Sequence, residues 1–180
     1  MTEFDSQPTL LGHILLLRPL REDDFDALFA AASDPLIWAQ HPSPLRHQQA
    51  VFDAEIFRPG LKSGGALVVI DRALNKVIGS SRYYDIDPAQ HELAIGYTFL
   101  ARSHWGGQTN GELKRLMLDH ALGWAQKVWF HIGANNIRSR KAIEKIGAKL
   151  SHMATRAGNG VAMESAYYLI ERDASASIRL

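Results

Sequence analysis

The chain contains no cysteine. Disulfide frameworks, cysteine-based zinc or iron–sulfur sites and a cysteine acyl-enzyme are therefore excluded. It also lacks any run of about 18 or more apolar residues, so no membrane-crossing helix is expected. The first apolar stretch, Leu10-Leu11 and Ile14 to Leu17, is broken by Gly12-His13 and follows acidic Glu3 and Asp5, a poor match to a secretory leader. Charge of one sign is missing too. Twenty Lys and Arg face nineteen Asp and Glu, a formal charge of +1, which gives no field for nucleic acid or a membrane surface. No internal period or low-complexity tract occurs. Eight histidines are present, but none stands in H-x-x-x-H or H-E-x-x-H spacing, and no metal site is expected.

What is there is ordinary globular material: 180 residues, 46% hydrophobic and 22% charged. These numbers predict a single domain over residues 1–180 with its core at about 9–172, and a cytoplasmic location. The first nine residues and Ala174 to Leu180 read as frayed ends. His13 to Arg18 suits a strand closed by Pro19, and Glu22 to Ala32 an amphipathic helix ending before Pro35. Ser43 to Phe57 is a weaker helix, followed by a turn at Pro59-Gly60. Ala66 to Ile70 and Val77 to Tyr84 form a hairpin around Asp71 to Lys76. His91 to Leu100 alternates, with Leu93, Ile95, Tyr97 and Phe99 on one face. A strong helix then presents Leu113, Leu116, Met117, His120, Ala121 and Trp124 on one stripe. Val128 to Ile132 is a strand, Asn136 to Ile146 a helix stopped by Gly147, and Ala162 to Ile170 a closing strand. The fold class is α+β, with a strand–helix–strand unit in the second half.

The turn from Tyr97 to Leu116 carries the chemistry. A strand runs into Trp105-Gly106-Gly107, then Gln108-Thr109-Asn110, then a helix. Glycines let backbone approach a bulky ligand, and free N–H groups at a helix start face negative charge. A tight turn capped by Asn110, with no ligand, explains the same residues, and both readings stay open on this chemistry alone. Gly106 and Gly111 have the glycine spacing of a nucleotide P-loop, but Glu112-Leu113 replaces its lysine and hydroxyl. The dinucleotide pattern G-x-G-x-x-G is absent.

Three stretches in order resemble one family. Leu11-Gly12 leads to Leu17-Arg18-Pro19-Leu20-Arg21-Glu22-Asp23-Asp24. Ala94-Ile95-Gly96-Tyr97 leads to Trp105-Gly106 and the Glu112 helix. Asn136, Ser139 and Ala142 to Ala148 follow. Together they resemble the GNAT acetyltransferase superfamily, in its RimJ/RimL-like branch. The resemblance implies a single-domain GNAT fold, a mixed central sheet with splayed strands flanked by helices. It implies an acetyl-CoA-dependent N-acetyltransferase acting on an amine, either a small molecule or a protein N-terminus, by direct transfer in a ternary complex. A catalytically weak CoA-binding module is the alternative. The implied cofactor loop is Trp105, Gly106, Gly107, Gln108, Thr109 and Asn110, with the pantetheine arm along Tyr97, Thr98, Phe99 and Leu100. Gln108 and Asn110 depart from the family's usual small residues.

The resemblance assigns Asn136 to the pantetheine arm and Ser139 to the leaving thiolate, because the family's usual tyrosine is Ile143 here. Its usual glutamate is Ala94. Glu92, two residues earlier on the same face, is the candidate base, with Glu164 and the Tyr84-Asp85 pair behind it. An N–H near Phe99 or Leu100 would meet the oxyanion. Ser139 and Glu92 could equally be solvated surface groups; one of Arg138, Arg140 and Lys141 could meet the 3′-phosphate of CoA, although a solvated basic face is the commoner explanation for any one of them. His104 is a candidate lining of the cofactor loop, and His120 a core residue. No nucleic-acid or membrane partner is expected, and a homodimer is left open by similar proteins.

Overall fold

The computed structural model describes residues 3–158 and 161–172. Eight strands form one sheet in the order β1-β2-β3-β4-β5-β6-β8-β7. They are β1 (Leu10–Leu11), β2 (Leu15–Pro19), β3 (Ala66–Asp71), β4 (Lys76–Asp87), β5 (Glu92–Leu100), β6 (Lys127–Gly133), β7 (Lys149–Gly158) and β8 (Val161–Glu171). Every pairing is antiparallel except β5 with β6. The crossover between those two strands is α5 (Thr109–Trp124), and α6 (Ile137–Glu144) follows β6. The sheet is thus mixed, and the domain is a single α+β unit.

Each sheet face has its own core. Leu93 and Ile95 of β5, Tyr83 of β4 and Phe130 of β6 pack with Leu113, Met117 and Ala121 of α5. The stripe expected on α5 is therefore the buried one. The opposite face meets α1 (Phe25–Ala32), α2 (Pro35–Trp38) and a longer helical rod. Phe52, Ile56 and Phe57 of that rod pack with Leu28, Trp38 and Val68.

The rod corrects one expectation. α3 (Gln49–Phe52) passes through a π-helical segment (Asp53–Phe57) directly into α4 (Arg58–Ser63). Pro59-Gly60 is therefore inside a helix and not a turn. Proline is tolerated in a first helical turn, where its missing N–H is not required, and Pro59 occupies that position in α4. The chain instead turns at Gly64, which is left-handed.

The N-terminus is a second correction. Phe4 is buried in the α5 core, and Ser6 donates to the Gly64 carbonyl at 2.7 Å. Residues 3–8 are held by tertiary contacts that no local pattern encodes. Final strands were expected at the C-terminal end, but only Ala162 to Ile170 was given bounds, and β7 had none. Its sequence, KLSHMATRAG, is too polar to read as a strand, and it lies at the sheet edge. The tail expected to fray, Ala174 to Leu180, lies outside the described residues.

Candidate active site

The parallel pairing of β5 and β6 covers only Glu92 with Lys127, Leu93 with Val128, and Ala94 with Trp129. Beyond Ala94 and Trp129 the two strands part, and the sheet opens as a fork. A bulge helps to open it. Arg82 of β4 faces Gly96 while Ser80 faces Phe99, so β5 carries one extra residue there. Tyr97 takes the extra position with a left-handed φ of 52°, a conformation that costs a non-glycine residue on the order of 1 kcal/mol.

The bulge also breaks the expected alternation. Leu93 and Ile95 face α5, but Phe99 joins the core under α1 and the rod. Tyr97 is 42% exposed, and Thr98 and Leu100 turn toward α5. The Leu100 carbonyl points out of the β4–β5 ladder and accepts from Trp105 Nε1 at 2.9 Å. Within one strand residue the N–H and C=O point to the same side, so the Leu100 N–H looks into the fork.

At the mouth of the fork lies the loop before α5. Gly106 has a φ of 74°. The N–H groups of residues 106 to 111 donate to no acceptor among the described residues; the first helical bond runs from Glu112 N–H to the Gln108 carbonyl. Unpaired donors in sequence at a helix start are suited to an anion. Arg138 of α6 adds a cation, its guanidinium carbon 4.0 Å from the centre of the Trp105 ring. Arg140 is used structurally, donating to the Ala134 carbonyl and the Tyr168 hydroxyl. His104 is drawn from the loop to Asp71, at 3.0 Å.

Asn136 caps α6, accepting from the Ser139 N–H at 3.3 Å, and is buried. Ser139 is half-buried, and its hydroxyl makes no hydrogen bond among the described residues. The cap thus holds both residues on the turn that follows β6, where the Asn136 N–H donates to the Gly133 carbonyl at 2.9 Å. Glu92 stands at the paired end of the strands, where its Oε2 accepts from Trp129 Nε1 at 3.0 Å. Glu164 is exposed on β8.

Tyr84 and Asp85 belong to a cluster on the rod side of the fork. The Tyr84 hydroxyl meets His131 Nδ1 at 3.1 Å, and Arg156 donates to the same nitrogen. Arg156 also pairs with Asp85 at 3.2 Å. With a guanidinium on Nδ1, the imidazole proton resides on Nε2. Burial and then the Arg156 charge hold the His131 pKa down at about 4, so the ring is neutral near pH 7. Burial raises the Tyr84 phenol above its ordinary value.

Two further cations flank the fork, and neither stood out in the sequence. Lys114 of α5 is 5% exposed. Its Nζ donates to Thr98 Oγ1 at 2.8 Å and lies 5.5 Å from the Phe130 ring, bridging the separated strands from the α5 side. Thr98 Oγ1 is also 2.8 Å from Ser81 Oγ. No carboxylate pairs with Lys114 among the described residues, and burial alone lowers its pKa to about 8. Arg82, on the opposite face, is 7% exposed and lies 4.2 Å from the Tyr97 ring centre. Lys114 had one legible signal. It lies three residues before Met117 and seven before Ala121, on the apolar stripe, where a charge is out of place.

A cavity of about 740 Å³ lined by Phe25, Asp53, Phe57 and Arg58 opens beside the rod, and none of its lining residues belongs to the fork strands.

A forked parallel pair, a bulged first strand and a glycine loop onto a helix match the fold implied by the motifs. The family model described as "Acetyltransferase (GNAT) domain" matches residues 15–149. The chain belongs to the GNAT acetyltransferase family. It is therefore an N-acetyltransferase whose acetyl donor is acetyl-CoA. No curated protein matches the sequence. Among solved structures, a GCN5-related N-acetyltransferase from Brucella melitensis is similar at 21% identity and a TM-score of 0.82, over 92% of this chain and 79% of that one. RimJ from Mycobacterium smegmatis, in complex with CoA-disulfide, is similar at 16% identity and 0.74, over 99% and 93%. Spermidine N-acetyltransferase from Vibrio cholerae, with CoA and spermine, is similar at 17% identity and 0.68, over 89% and 97%. At these identities the likeness is one of fold.

The GNAT donor fits the residues present. The free N–H groups of residues 106–111 suit a pyrophosphate, and an added Cβ at Gly106 or Gly107 would meet no atom within 4 Å, so the loop is open on its outer side.

Proposed function

We propose that the chain transfers acetyl directly from acetyl-CoA to an amine in a ternary complex, in the manner of the RimJ/RimL-like branch, acting in the cytoplasm on a small molecule or a protein N-terminus. The fork carries this reading, because the loop with unpaired donors lies at its mouth, the Leu100 N–H looks into it, and the Asn136–Ser139 cap follows its second strand. Acetyl-CoA supplies the acetyl group as a thioester. The loop from Trp105 to Asn110 holds its phosphates, while Tyr97 to Leu100 and Asn136 line its arm. The Leu100 N–H stabilises the oxyanion.

On the leaving side, the Ser139 hydroxyl hydrogen-bonds the sulfur. Lys114 adds a cation beneath the fork, which favours charge developing there. Glu92 lies on the same strand face as Ala94 and the rod-side cluster, but it stands eight residues before Leu100 on β5, roughly 25 Å at a strand's rise, and bonds the Trp129 indole, so it is not assigned as the base. A homodimer is part of the proposal only as the branch's habit.

Thermal shift separates the donor from other nucleotides: acetyl-CoA should stabilise the protein, and ATP and NADH should not. Stabilisation by ATP alone would refute the assignment. Thiol release from acetyl-CoA with a panel of amines and N-terminal peptides then tests transfer, and absence of turnover with every amine overturns it.

A further inference from the structure

Arg82 is a buried guanidinium with no counter-ion among the described residues. It extends from β4 under the helical rod, where one N–H finds an acceptor, Nη2 to the Ile56 carbonyl at 3.2 Å. Its Nε is buried and bonded to nothing among the described residues. A guanidinium carries five N–H donors in a fixed fork, so most of them have no protein acceptor. Leaving a buried charge this poorly satisfied is expensive. The fold nevertheless makes room for it. A Cβ on Gly60 would come within 3.2 Å of Arg82 Nη2, and the carbonyl it uses belongs to the π-helical segment, an irregularity that recurs at functional sites.

The neighbouring cations are already neutralised. Arg46 pairs with Glu55 at 2.8 Å and Arg156 with Asp85 at 3.2 Å. Arg82 alone among these three lacks a carboxylate partner in the described residues. Its position is also specific. It faces Gly96 across the β4–β5 ladder, one residue before the bulge at which the fork opens. The ring stacked on it, Tyr97, is the exposed aromatic of that bulge. Tyr97 in turn packs edge-on to Tyr84 at 5.2 Å, which leads to His131 on β6.

We infer that Arg82 anchors an anionic group on the acceptor, so that the substrate is an amine carrying a carboxylate or phosphate a few bonds from the reacting nitrogen. A planar bidentate fork is the side chain suited to such groups. Amino acids and amino phosphates fit this chemistry. Polyamines, which are cationic throughout, do not. This inference rests on the acetyltransfer proposed above.

The test is thiol release from acetyl-CoA with matched acceptors: each amino acid, its amide, the corresponding phosphate-bearing amine where one exists, and spermidine, compared at equal concentrations of free amine. The acid or phosphate member of a pair should exceed its amide by roughly ten- to a hundredfold in kcat/KM, the range of a charge-assisted contact. Arg82→Gln should bring the pair to within about twofold of each other. Calorimetry of the same acceptors on the CoA-bound protein gives a second readout, with heat from the acid and none from the amide.

Wild-type enzyme that prefers amides or spermidine overturns the inference and leaves acetyltransfer standing. A preference for acids that survives in Arg82→Gln also overturns it, assigning Arg82 to pinning the rod. No turnover with any acceptor overturns acetyltransfer itself. Arg82→Lys, which keeps the charge and loses the fork, guards against misfolding and should retain part of the discrimination. The carboxylate and phosphate arms tell the two anion sources apart.

Discussion

The two faces of the fork each hold one buried cation, and the two cations differ in kind. On the α5 face Lys114 can give up its proton, since burial brings its pKa to about 8. On the rod face Arg82 remains charged at any physiological pH, because guanidinium does not deprotonate in proteins. The first is bonded to a threonine at 2.8 Å, and the second is stacked on a tyrosine at 4.2 Å. The difference separates two tasks. A titratable cation suits a side where charge appears and disappears during the reaction, and a permanent one suits a side that holds a standing charge.

Replacing the α5-face cation tests that separation most strongly. Lys114→Met should lower kcat by about a hundredfold if the cation stabilises the leaving sulfur, in the range for removal of one such electrostatic contact, with CoA affinity changed much less. The same variant should be more stable than the parent, because an unpaired buried cation is removed. The sign follows from linkage. A lysine whose folded pKa is about 8, against about 10.4 when unfolded, penalises the fold fully below pH 8, and the penalty fades as pH rises toward 10. The melting gap between variant and parent should therefore be widest below pH 8 and close above it. A constant gap across that window would show that Lys114 does not titrate as the fold requires.

The next effect concerns the support of the loop and not the chemistry. Glu112 accepts from the N–H groups of His13, Ile14 and Leu15 at 2.7, 2.9 and 2.8 Å. Glu112→Ala should cost about 1–3 kcal/mol in chemical denaturation. Those bonds hold the carboxyl below its usual range against the opposing effect of desolvation. Their contribution is thus present above the unfolded carboxyl pKa and lost as pH falls through the folded one.

Smaller still is Ser139→Ala, expected to reduce turnover roughly three- to tenfold, the worth of one neutral hydrogen bond, with CoA affinity preserved. Equal turnover would remove the hydroxyl from the mechanism. The smallest expectation is an absence. With its pKa near 4, His131 is neutral across the working range, so His131→Gln should leave the shape of the pH–rate profile between pH 6 and 8 unaltered. An inflection lost with the variant would show that the imidazole titrates there.

The legible parts of the fold were those with a strong local period. The α5 stripe repeats every three to four residues, and its expected members all contact the core or pack against it, with His120 held between Phe4 and Tyr83 rings. The hairpin of β3 and β4 turns at the expected Asp71 and Lys76. What escaped depended on partners far away in sequence. The bulge sits on a tyrosine, although left-handed backbone normally signals glycine or asparagine. Pro59-Gly60 carries turn chemistry locally, yet the preceding π-helical segment carries the rod through it. The loop and the Asn136–Ser139 turn were readable as motifs; Arg82 and Lys114 were not, since each acquires its meaning from a fork that only the folded sheet creates.

The Glu112 contact also makes the start of the chain a gauge of the cofactor loop. A Cβ on Gly12 would lie 2.6 Å from the Glu112 carboxyl carbon, so a larger residue there would displace the carboxylate from the three amides it accepts from. Ordering the first turn of α5 on acetyl-CoA should then slow hydrogen exchange at His13, Ile14 and Leu15. Those amides lie 97 to 99 residues away in sequence, and would report on a ligand they never touch.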